Sequence, residues 1–464
     1  MRLITLLAAS AALLSVAPAK AADLSATAAA LRDKALIDST AWSVAESLTT
    51  EIGARPTGSP AMERARDWAA AKFAELGFTN IKVESYEAPS WLRGAESAEV
   101  VAPFPQKLHI LGLGLSAPTP KGGLEAEIAL FRTLEELKAQ PPGALKGKIA
   151  VVTEKMIRAQ DGSGYGAINA ARTAGAAEAS RRGAVAYLVR SLSTDDTRLP
   201  HTGGMRPWGD VTPIPAAALS TPDAELLEHM AERGRPVRVR LSMASSFTPK
   251  APAWNISGEI RGSEAPDEVI VVGGHLDSWD PGTGAVDDAA GIAITTAAAK
   301  LIGELPHHPR RTIRVVMFGA EEQGGAGAAY AAAHKDELGR IVMVGESDEG
   351  AGAVWKVSLP KGSAGHPAMR AFASTLPAVK AYVEDAPARF GGADVFPMVA
   401  AGAPVADLHQ DASRYFDLHH SADDTLDKID PAELAQNVAV WAALLYTVAD
   451  SDIDFRALAA GGGQ

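Results

Sequence analysis

The apolar positions in the second half of the chain follow the pattern of an α/β protein. Short runs of β-branched and other apolar residues predict buried strands, because a strand covered on both faces is apolar throughout. Longer Ala-rich or amphipathic runs predict helices. The predicted strands are residues 269–272, 313–318, 341–344 and 405–408, and the predicted helices are residues 289–301, 324–334, 367–375 and 431–449.

The first part of the chain is predicted to be mainly helical from about residue 23 to residue 76. A cluster of helix-breaking residues, 55–60, interrupts it. Ser59 is predicted to cap a helix that has Pro60 in its first turn. Residues 81–86 alternate between apolar and polar side chains, which predicts a strand.

The pattern changes between residues 108 and 245, where short strands dominate. The predicted strands are residues 108–115, 125–131, 148–152, 185–189 and 237–241, with one helix near 170–182. We interpret this segment as an inserted β-rich domain, and the alternative is a continuation of the main sheet. The main domain is then made of residues 22–107 and 246–464.

The N-terminus has the features of a secretory signal peptide. Arg2 precedes an apolar run, residues 3–16, and an Ala-Lys-Ala segment ends at Ala21. We predict a signal peptide at residues 1–21 and a secreted or periplasmic protein. The alternative is a retained anchor, but the run is shorter than the roughly 20 residues that a membrane span requires.

Composition narrows the classes of function. The 464 residues carry a formal net charge of −12, which argues against a nucleic-acid partner. The absence of cysteine excludes disulfides, thiolate metal sites and cysteine nucleophiles. The length suggests two or three domains.

Histidines and acids follow three of the four predicted strands in the second half. In open α/β sheets, ligands bind beyond the carboxyl ends of the strands. The candidates are His275 with Asp277, Asp287 with Asp288, Glu321 with Glu322, Asp348, and His419 with His420. Each one alone is typical of a turn or a helix cap. Their repeated position at strand ends favours a metal site.

The chemistry of this set points to zinc. Carboxylates and imidazoles without thiolates suit Zn²⁺ in a catalytic site rather than a structural one. Five ligands that share one carboxylate would hold two metals about 3.5 Å apart or a little more, and a nearby glutamate could take a proton from a water. The remaining histidines are interpreted as structural or exposed: His109, His229, His307, His308, His334, His366 and His409.

These motifs resemble the co-catalytic zinc peptidases, a family that includes bacterial leucyl aminopeptidases and glutamate carboxypeptidase. The matching segments in the site are GHLDSWD (274–280), DD (287–288), AEEQGG (320–325), ESD (346–348) and HHS (419–421). Further likeness lies in RPTGS (55–59), LGLG (111–114) and PHTG (200–203). The resemblance covers nearly the whole chain after the predicted signal peptide.

The resemblance implies a fold and a set of metal ligands. The expected fold is α/β, with a mixed, largely parallel sheet between helices and an inserted β-rich protease-associated domain at residues 108–245. His275 and Asp348 would bind one zinc ion, and Glu322 and His420 would bind the other. Asp287 would bridge the two, with a cis peptide bond after it.

The resemblance also implies catalytic roles. Glu321 would be the general base, and Asp277 would orient His275. Many members carry tyrosine where this chain has His419, so His419 or Tyr415 would stabilise the oxyanion. We also predict that His201 lies near the substrate cleft.

The expected function is an exported di-zinc aminopeptidase or dipeptidase that acts on short peptides with a free N-terminus. Its partners would be a short peptide substrate, no nucleic acid and no membrane after signal cleavage, and a homodimer is left open. Two alternatives remain. One is a catalytically inactive, receptor-like binding protein of the same fold, and the other is a di-zinc amidase or cyclase acting on small amides.

Overall fold

The computed structural model describes residues 16–461. The predicted signal peptide therefore lies outside the described residues, except for its last few positions, which begin the first helix. None of the helices within 16–461 combines the length and the apolar character that crossing a bilayer requires.

The described chain alternates helices and strands over most of its length. The helices are α1 (Val16–Ala35), α2 (Thr40–Ser47), α3 (Pro60–Glu75), α4 (Leu134–Lys138), α5 (Ser163–Arg181), α6 (Thr221–Ala231), α7 (Ala290–Gly303), α8 (Ala326–Ala333), α9 (Pro367–Ala373), α10 (Phe396–Ala400), α11 (Pro431–Asp450) and α12 (Phe455–Gly461). The strands are β1 (Thr79–Ala102), β2 (Gln106–Leu108), β3 (Ile110–Gly112), β4 (Leu124–Phe131), β5 (Ile149–Val152), β6 (Ala186–Arg190), β7 (Ala216–Leu219), β8 (Arg238–Ile260), β9 (Ala265–His275), β10 (Arg311–Phe318), β11 (Ile341–Glu346), β12 (Val354–Ser358), β13 (Tyr382–Val383) and β14 (Asp407–Gln410). Single π-helical turns occur at Leu48–Ile52 and Ala285–Ala289, and 3₁₀ turns at Leu338–Arg340, Leu376–Val379, Tyr415–Asp417 and Leu426–Lys428.

The main domain is built on a mixed sheet, as predicted. Strand β9 lies between β10 and β11 and is parallel to both, whereas β8 runs antiparallel to β10. His275 at the end of β9 pairs in register with Phe318 at the end of β10. Because the parallel strands end at the same edge, the segments that follow β9, β10 and β11 meet there.

Most elements predicted for this domain are observed within a few residues of the predicted bounds. The strands predicted at 81–86 and 405–408 differ more from the structure, since β1 extends from Thr79 to Ala102. Val405 makes only a single parallel bridge to Val344, and the strand β14 begins at Asp407 in a separate three-stranded sheet with β12 and β13. The apolar run predicted a buried strand, but such a run does not specify which neighbour the strand pairs with.

The predicted cap at the start of α3 is confirmed. The Ser59 hydroxyl accepts a hydrogen bond from the Met62 N–H at 3.2 Å, and Pro60 occupies the first turn. This satisfies one of the N–H groups that a helix start leaves without a partner.

The segment 108–245 continues the main sheet, which is the alternative left open by the sequence. Strands β1 and β8 are 24 and 23 residues long and pair side by side from Thr79 opposite Glu259 to Ala102 opposite Arg238. Strand β8 pairs with β10 at one end and with β4 at the other, so hydrogen bonding runs unbroken into β4, β5, β6, β7 and β3.

The insert nevertheless packs around apolar clusters of its own, on the two faces of its strands. Helices α4, α5 and α6 accompany its strands, so it is α/β in content rather than simply β-rich. Parallel pairing of β4 to β7 explains this, since parallel neighbours need crossover connections that are usually helical.

Candidate active site

The site is organised at the end of β9 by a buried carboxylate. Asp288 accepts hydrogen bonds from the His275 N–H at 3.0 Å and from the Gly291 N–H at 2.9 Å. It thereby ties the end of the strand to the start of α7. Gly274 permits this approach, because a side-chain Cβ there would lie 2.3 Å from an Asp288 oxygen.

A first group of potential ligands surrounds the His275 ring. Its Nε2 lies 2.9 Å from Asp287 Oδ1 and 3.4 Å from Asp348 Oδ1. Its Nδ1 lies 2.9 Å from the main-chain carbonyl oxygen of Asp277. Because a carbonyl can only accept, Nδ1 carries a hydrogen, and Nε2 is the ring nitrogen that faces the carboxylates and would be available to a metal ion.

A second group surrounds the His420 ring in the same way. Its Nε2 lies 3.1 Å from Asp287 Oδ2 and 3.0 Å from Glu322 Oε2. Its Nδ1 lies 3.2 Å from the carbonyl oxygen of Thr202, so Nε2 is again the ring nitrogen that faces the carboxylates. The Asp287 carboxylate contributes one oxygen to each group and lies between them.

These donors fit divalent cations. Asp287 Oδ2 and Glu322 Oε1 are buried and have no hydrogen-bond partner in the described part of the chain, although His420 is close to both carboxylates. Buried carboxylate oxygens without partners are costly. A cation would satisfy them, and a set of imidazole nitrogens and carboxylate oxygens suits zinc.

His419 is a further potential ligand in the second group. Its Nε2 lies 3.7 Å from Asp287 Oδ2, and donor atoms of Asp287, His419 and His420 all fall within 4.8 Å of one another. The two imidazoles stack, with ring centroids 3.5 Å apart. Burial, followed by the charge of His420, lowers the pKa of His419 well below its usual range, so its ring is neutral.

Asp277 contacts His275 and Glu321 through two different groups. Its carboxylate accepts hydrogen bonds from the Thr57 hydroxyl at 2.8 Å and from the Glu321 N–H at 2.9 Å. Its nearest oxygen is 3.8 Å from His275 Nδ1, so His275 is oriented by the Asp277 carbonyl rather than by its carboxylate. The side chain fixes the backbone of Glu321 instead.

Glu321 follows β10 and lies beside both ligand groups without belonging to either. Burial raises the pKa of its carboxyl well above the usual range. The peptide bond between Asp287 and Asp288 is cis, as predicted.

A cavity of about 590 Å³ opens onto both ligand groups. Its walls come from the main domain and from the insert. The lining residues include Asp287, Glu321, Glu322, Asp348, His419 and His420 from the site, Glu346, Glu349, His409 and Tyr415 from the rest of the main domain, and Tyr165, Arg172, Met205 and Arg206 from the insert.

Two predicted substrate-binding residues take different positions. Tyr415 lines the cavity, and burial, followed by the charges of Asp287 and Asp348, raises the pKa of its phenol well above the usual range. His201 is buried behind the wall, where its Nδ1 lies 2.6 Å from the carbonyl oxygen of His419. His201 therefore supports the loop that carries the two histidines.

Sequence reasoning missed several residues of the site. The buried Arg55 donates hydrogen bonds to the carbonyls of Leu276, Thr283 and Gly284 and so holds the turn after β9, and burial lowers its pKa to about 10. The cluster of helix-breaking residues at 55–60 is the feature of the sequence that could have pointed to Arg55. His409 lines the cavity, although its sequence context had suggested only a structural or exposed role.

Comparison with known proteins agrees with this geometry. A family model described as Peptidase family M28 matches residues 255–445. Carboxypeptidase Q of Mus musculus is 36% identical over 406 residues, which cover 87% of this chain and 84% of the mouse protein. The crystal structure of a Peptidase M28 precursor from Shewanella amazonensis SB2B is 43% identical with a TM-score of 0.91 and covers 94% of this chain and 98% of that one. A zinc aminopeptidase from Bacillus subtilis shares the fold. It is 19% identical, with a TM-score of 0.66, and the match covers 90% of this chain and 96% of that one.

Proposed function

The chain belongs to peptidase family M28 and is a metallo-exopeptidase, and from this premise we propose that it uses two zinc ions to hydrolyse dipeptides and other short peptides with a free N-terminus. The observation that carries the proposal is the position of Asp287. Its two carboxylate oxygens face two separate histidine–carboxylate groups, inside a cavity that also contains Glu321.

In this proposal, each zinc ion would have two ligands of its own, and Asp287 would contribute to both sites. His275 and Asp348 would hold one ion, and Glu322 and His420 would hold the other. Zinc, when bound, supplies Lewis-acid chemistry that lowers the pKa of a water and polarises a carbonyl. The main-chain carbonyls of Asp277 and Thr202 would keep both imidazoles in the tautomer that ligates through Nε2.

Glu321 would move the proton. Its backbone is held by Asp277, and its carboxylate lines the cavity outside both ligand groups. It accepts a proton from the attacking water as the new C–O bond forms, and it delivers that proton to the leaving nitrogen as the C–N bond breaks. The same carboxylate serves both steps and ends in its starting form.

The negative oxygen that develops on the substrate would be stabilised from the wall of the cavity. Tyr415 and His419 are the two candidate donors there, with ring centroids 5.0 Å apart. The raised pKa of Tyr415 keeps its hydrogen on the phenol, where it can be donated.

Recognition of the substrate amine would come from carboxylates that the ligand groups do not use. Glu346 and Glu349 line the cavity, and one oxygen of each, Glu346 Oε1 and Glu349 Oε2, is buried and has no hydrogen-bond partner among residues 16–461. A substrate ammonium would satisfy these oxygens, whereas an acetylated amine would leave them unpaired and add bulk. Since the insert forms part of the cavity wall, it would also limit substrate length.

The proposal includes export by the predicted signal peptide, and it is tested with purified mature protein. Metal analysis should find about two zinc ions per chain. An X-Leu dipeptide should be hydrolysed faster than its N-acetyl form and faster than a pentapeptide. Equal rates for free and blocked amines would refute amine recognition, and a faster pentapeptide would refute the length limit. Zinc-loaded protein that cleaves no peptide would favour the receptor-like alternative.

A further inference from the structure

One positively charged side chain in the cavity wall has no role in the reaction proposed above. Arg172 lies on α5 of the insert, lines the cavity and is only 6% exposed. None of the described acidic residues forms an ion pair with it. A buried guanidinium without an anion is unfavourable, because its charge is removed from water without compensation.

The guanidinium retains unused hydrogen-bond donors. Nη2 donates to the Tyr165 hydroxyl, and Nη1 is 3.5 Å from the carbonyl oxygen of Thr202. Nε is buried and has no partner in the described chain. Since arginine has five N–H donors, an incoming anion could be bound by two of them at once.

The position of Arg172 relative to the ligand groups follows from a shared contact. The Thr202 carbonyl oxygen lies 3.5 Å from Arg172 Nη1 and 3.2 Å from His420 Nδ1, so the two nitrogens are no further apart than the sum of these distances. Gly203 makes room for the guanidinium, since a Cβ there would lie 2.4 Å from Nη1. The PHTG segment thus joins Arg172 to the loop of His420.

Tyr165 completes the arrangement. Its hydroxyl accepts from Arg172, which leaves its own hydrogen available for donation, and it also lines the cavity. Its ring stacks on Phe416 with centroids 4.8 Å apart and meets His419 edge-on at 5.3 Å. These contacts fix the phenol beside the guanidinium.

We propose that Arg172, with the Tyr165 hydroxyl, binds the free C-terminal carboxylate of the substrate and thereby selects dipeptides. This inference rests on the proposed function. In a dipeptide, the terminal carboxylate lies one residue beyond the scissile bond, and one extended residue spans about 3.3–3.6 Å. The terminal carboxylate would therefore lie close to the ligand groups, and Arg172 is a cavity-lining cation that shares the Thr202 carbonyl with the proposed ligand His420. A longer peptide would bring an uncharged peptide bond to this position.

The experiment compares a free dipeptide, Ala-Leu, with its C-terminal amide, Ala-Leu-NH₂. Both have a free amine, so only the carboxylate differs. The zinc-loaded wild-type enzyme should prefer the free acid by roughly 10-fold to 100-fold in kcat/KM, the range expected for hydrogen bonds to a charged group. In Arg172→Met this preference should fall close to one, with activity on the amide changed only a few-fold.

Three variants make the result specific. Arg172→Lys keeps the charge but loses the bidentate fork, so it should retain part of the preference. It also serves as the test if Arg172→Met does not fold. Arg181→Met is the matched control, because Arg181 is on the same helix, lies outside the cavity and pairs with Glu178. It should leave the preference unchanged.

The inference is overturned by a wild-type preference near one, or by Arg172→Met losing activity on both substrates equally, as a purely structural role would cause. It is also overturned if Arg206→Met, which removes the exposed arginine at the same cavity, abolishes the preference in place of Arg172→Met. If the zinc-loaded wild type cleaves neither substrate, the proposed function itself fails and this inference falls with it.

Discussion

Replacing Glu321 by glutamine separates proton transfer from metal binding. Glutamine has nearly the same shape, so the change removes the basic oxygen and little else. The backbone N–H of residue 321 would keep its 2.9 Å hydrogen bond to Asp277, since that contact does not involve the side chain. The Glu321 carboxylate belongs to neither ligand group, so zinc binding at both proposed sites should survive.

The expected size of the effect follows from these contacts. A positioned general base contributes about 10²-fold to 10⁴-fold to the rate, so kcat on Ala-Leu should fall by at least about 100-fold. The free energy of unfolding should change by no more than about 0.5 kcal/mol, because the side chain makes no ion pair in the described structure and faces the cavity. KM should change little compared with kcat, since no substrate contact is removed.

The assay measures three quantities on the same preparation: zinc per chain by mass spectrometry, Tm, and kcat and KM on the free dipeptide. Glu322→Gln is the matched contrast, because the neighbouring carboxylate contacts His420 at 3.0 Å and should therefore be needed for zinc. Activity of Glu321→Gln within a few-fold of wild type would refute Glu321 as the base. Loss of zinc from Glu321→Gln, with zinc retained in Glu322→Gln, would show that the two roles are reversed.

Three further predictions concern metal, support and capping. Removal of zinc with a chelator should abolish activity and lower Tm, and added zinc should restore both. At a free zinc concentration 100 times Kd, each site should stabilise the folded protein by roughly 2.7 kcal/mol. A Tm that does not change with zinc would contradict the ligand assignment. His201→Ala should cost about 1–3 kcal/mol in urea unfolding, because it leaves the buried carbonyl of His419 without its hydrogen bond, whereas an unchanged midpoint would show that this contact is not needed. Ser59→Ala should destabilise the protein by about 1 kcal/mol through loss of the α3 cap, and Ser59→Asn should restore most of it; equal stability of all three would argue against the cap.

The strands and helices around the site were predictable because their signals are local. An apolar run such as residues 269–272 is buried wherever it pairs, and the actual strand extends it to Ala265–His275. His275, Glu321 and Asp348 lie at or just after the ends of β9, β10 and β11, so the parallel pairing of these strands brings them to one edge of the sheet. The cap at Ser59 was predictable for the same reason, since donor and acceptor are three residues apart.

The partners within the site were not predictable from local pattern. Thr202 and His420 are separated by 218 residues, yet the carbonyl of one fixes the ring of the other. At Asp277, the main-chain carbonyl orients His275 and the carboxylate holds the backbone of Glu321. This division depends on the geometry of the turn, which the residue types do not encode.

The sequence by itself determined the α/β class, the ends of the strands that carry the site and the residue types that suit zinc, because these follow from periodicity and donor chemistry along a short stretch. Only the tertiary structure decided that β8 joins the insert to the main sheet and that His201 lies behind the cavity wall while Tyr415 lines it. It also decided that the insert places Arg172, which forms no ion pair with the described acidic residues, beside the His420 loop. The physical reason is that pairing, burial and the direction of a side chain depend on neighbours brought together by folding from distant parts of the chain.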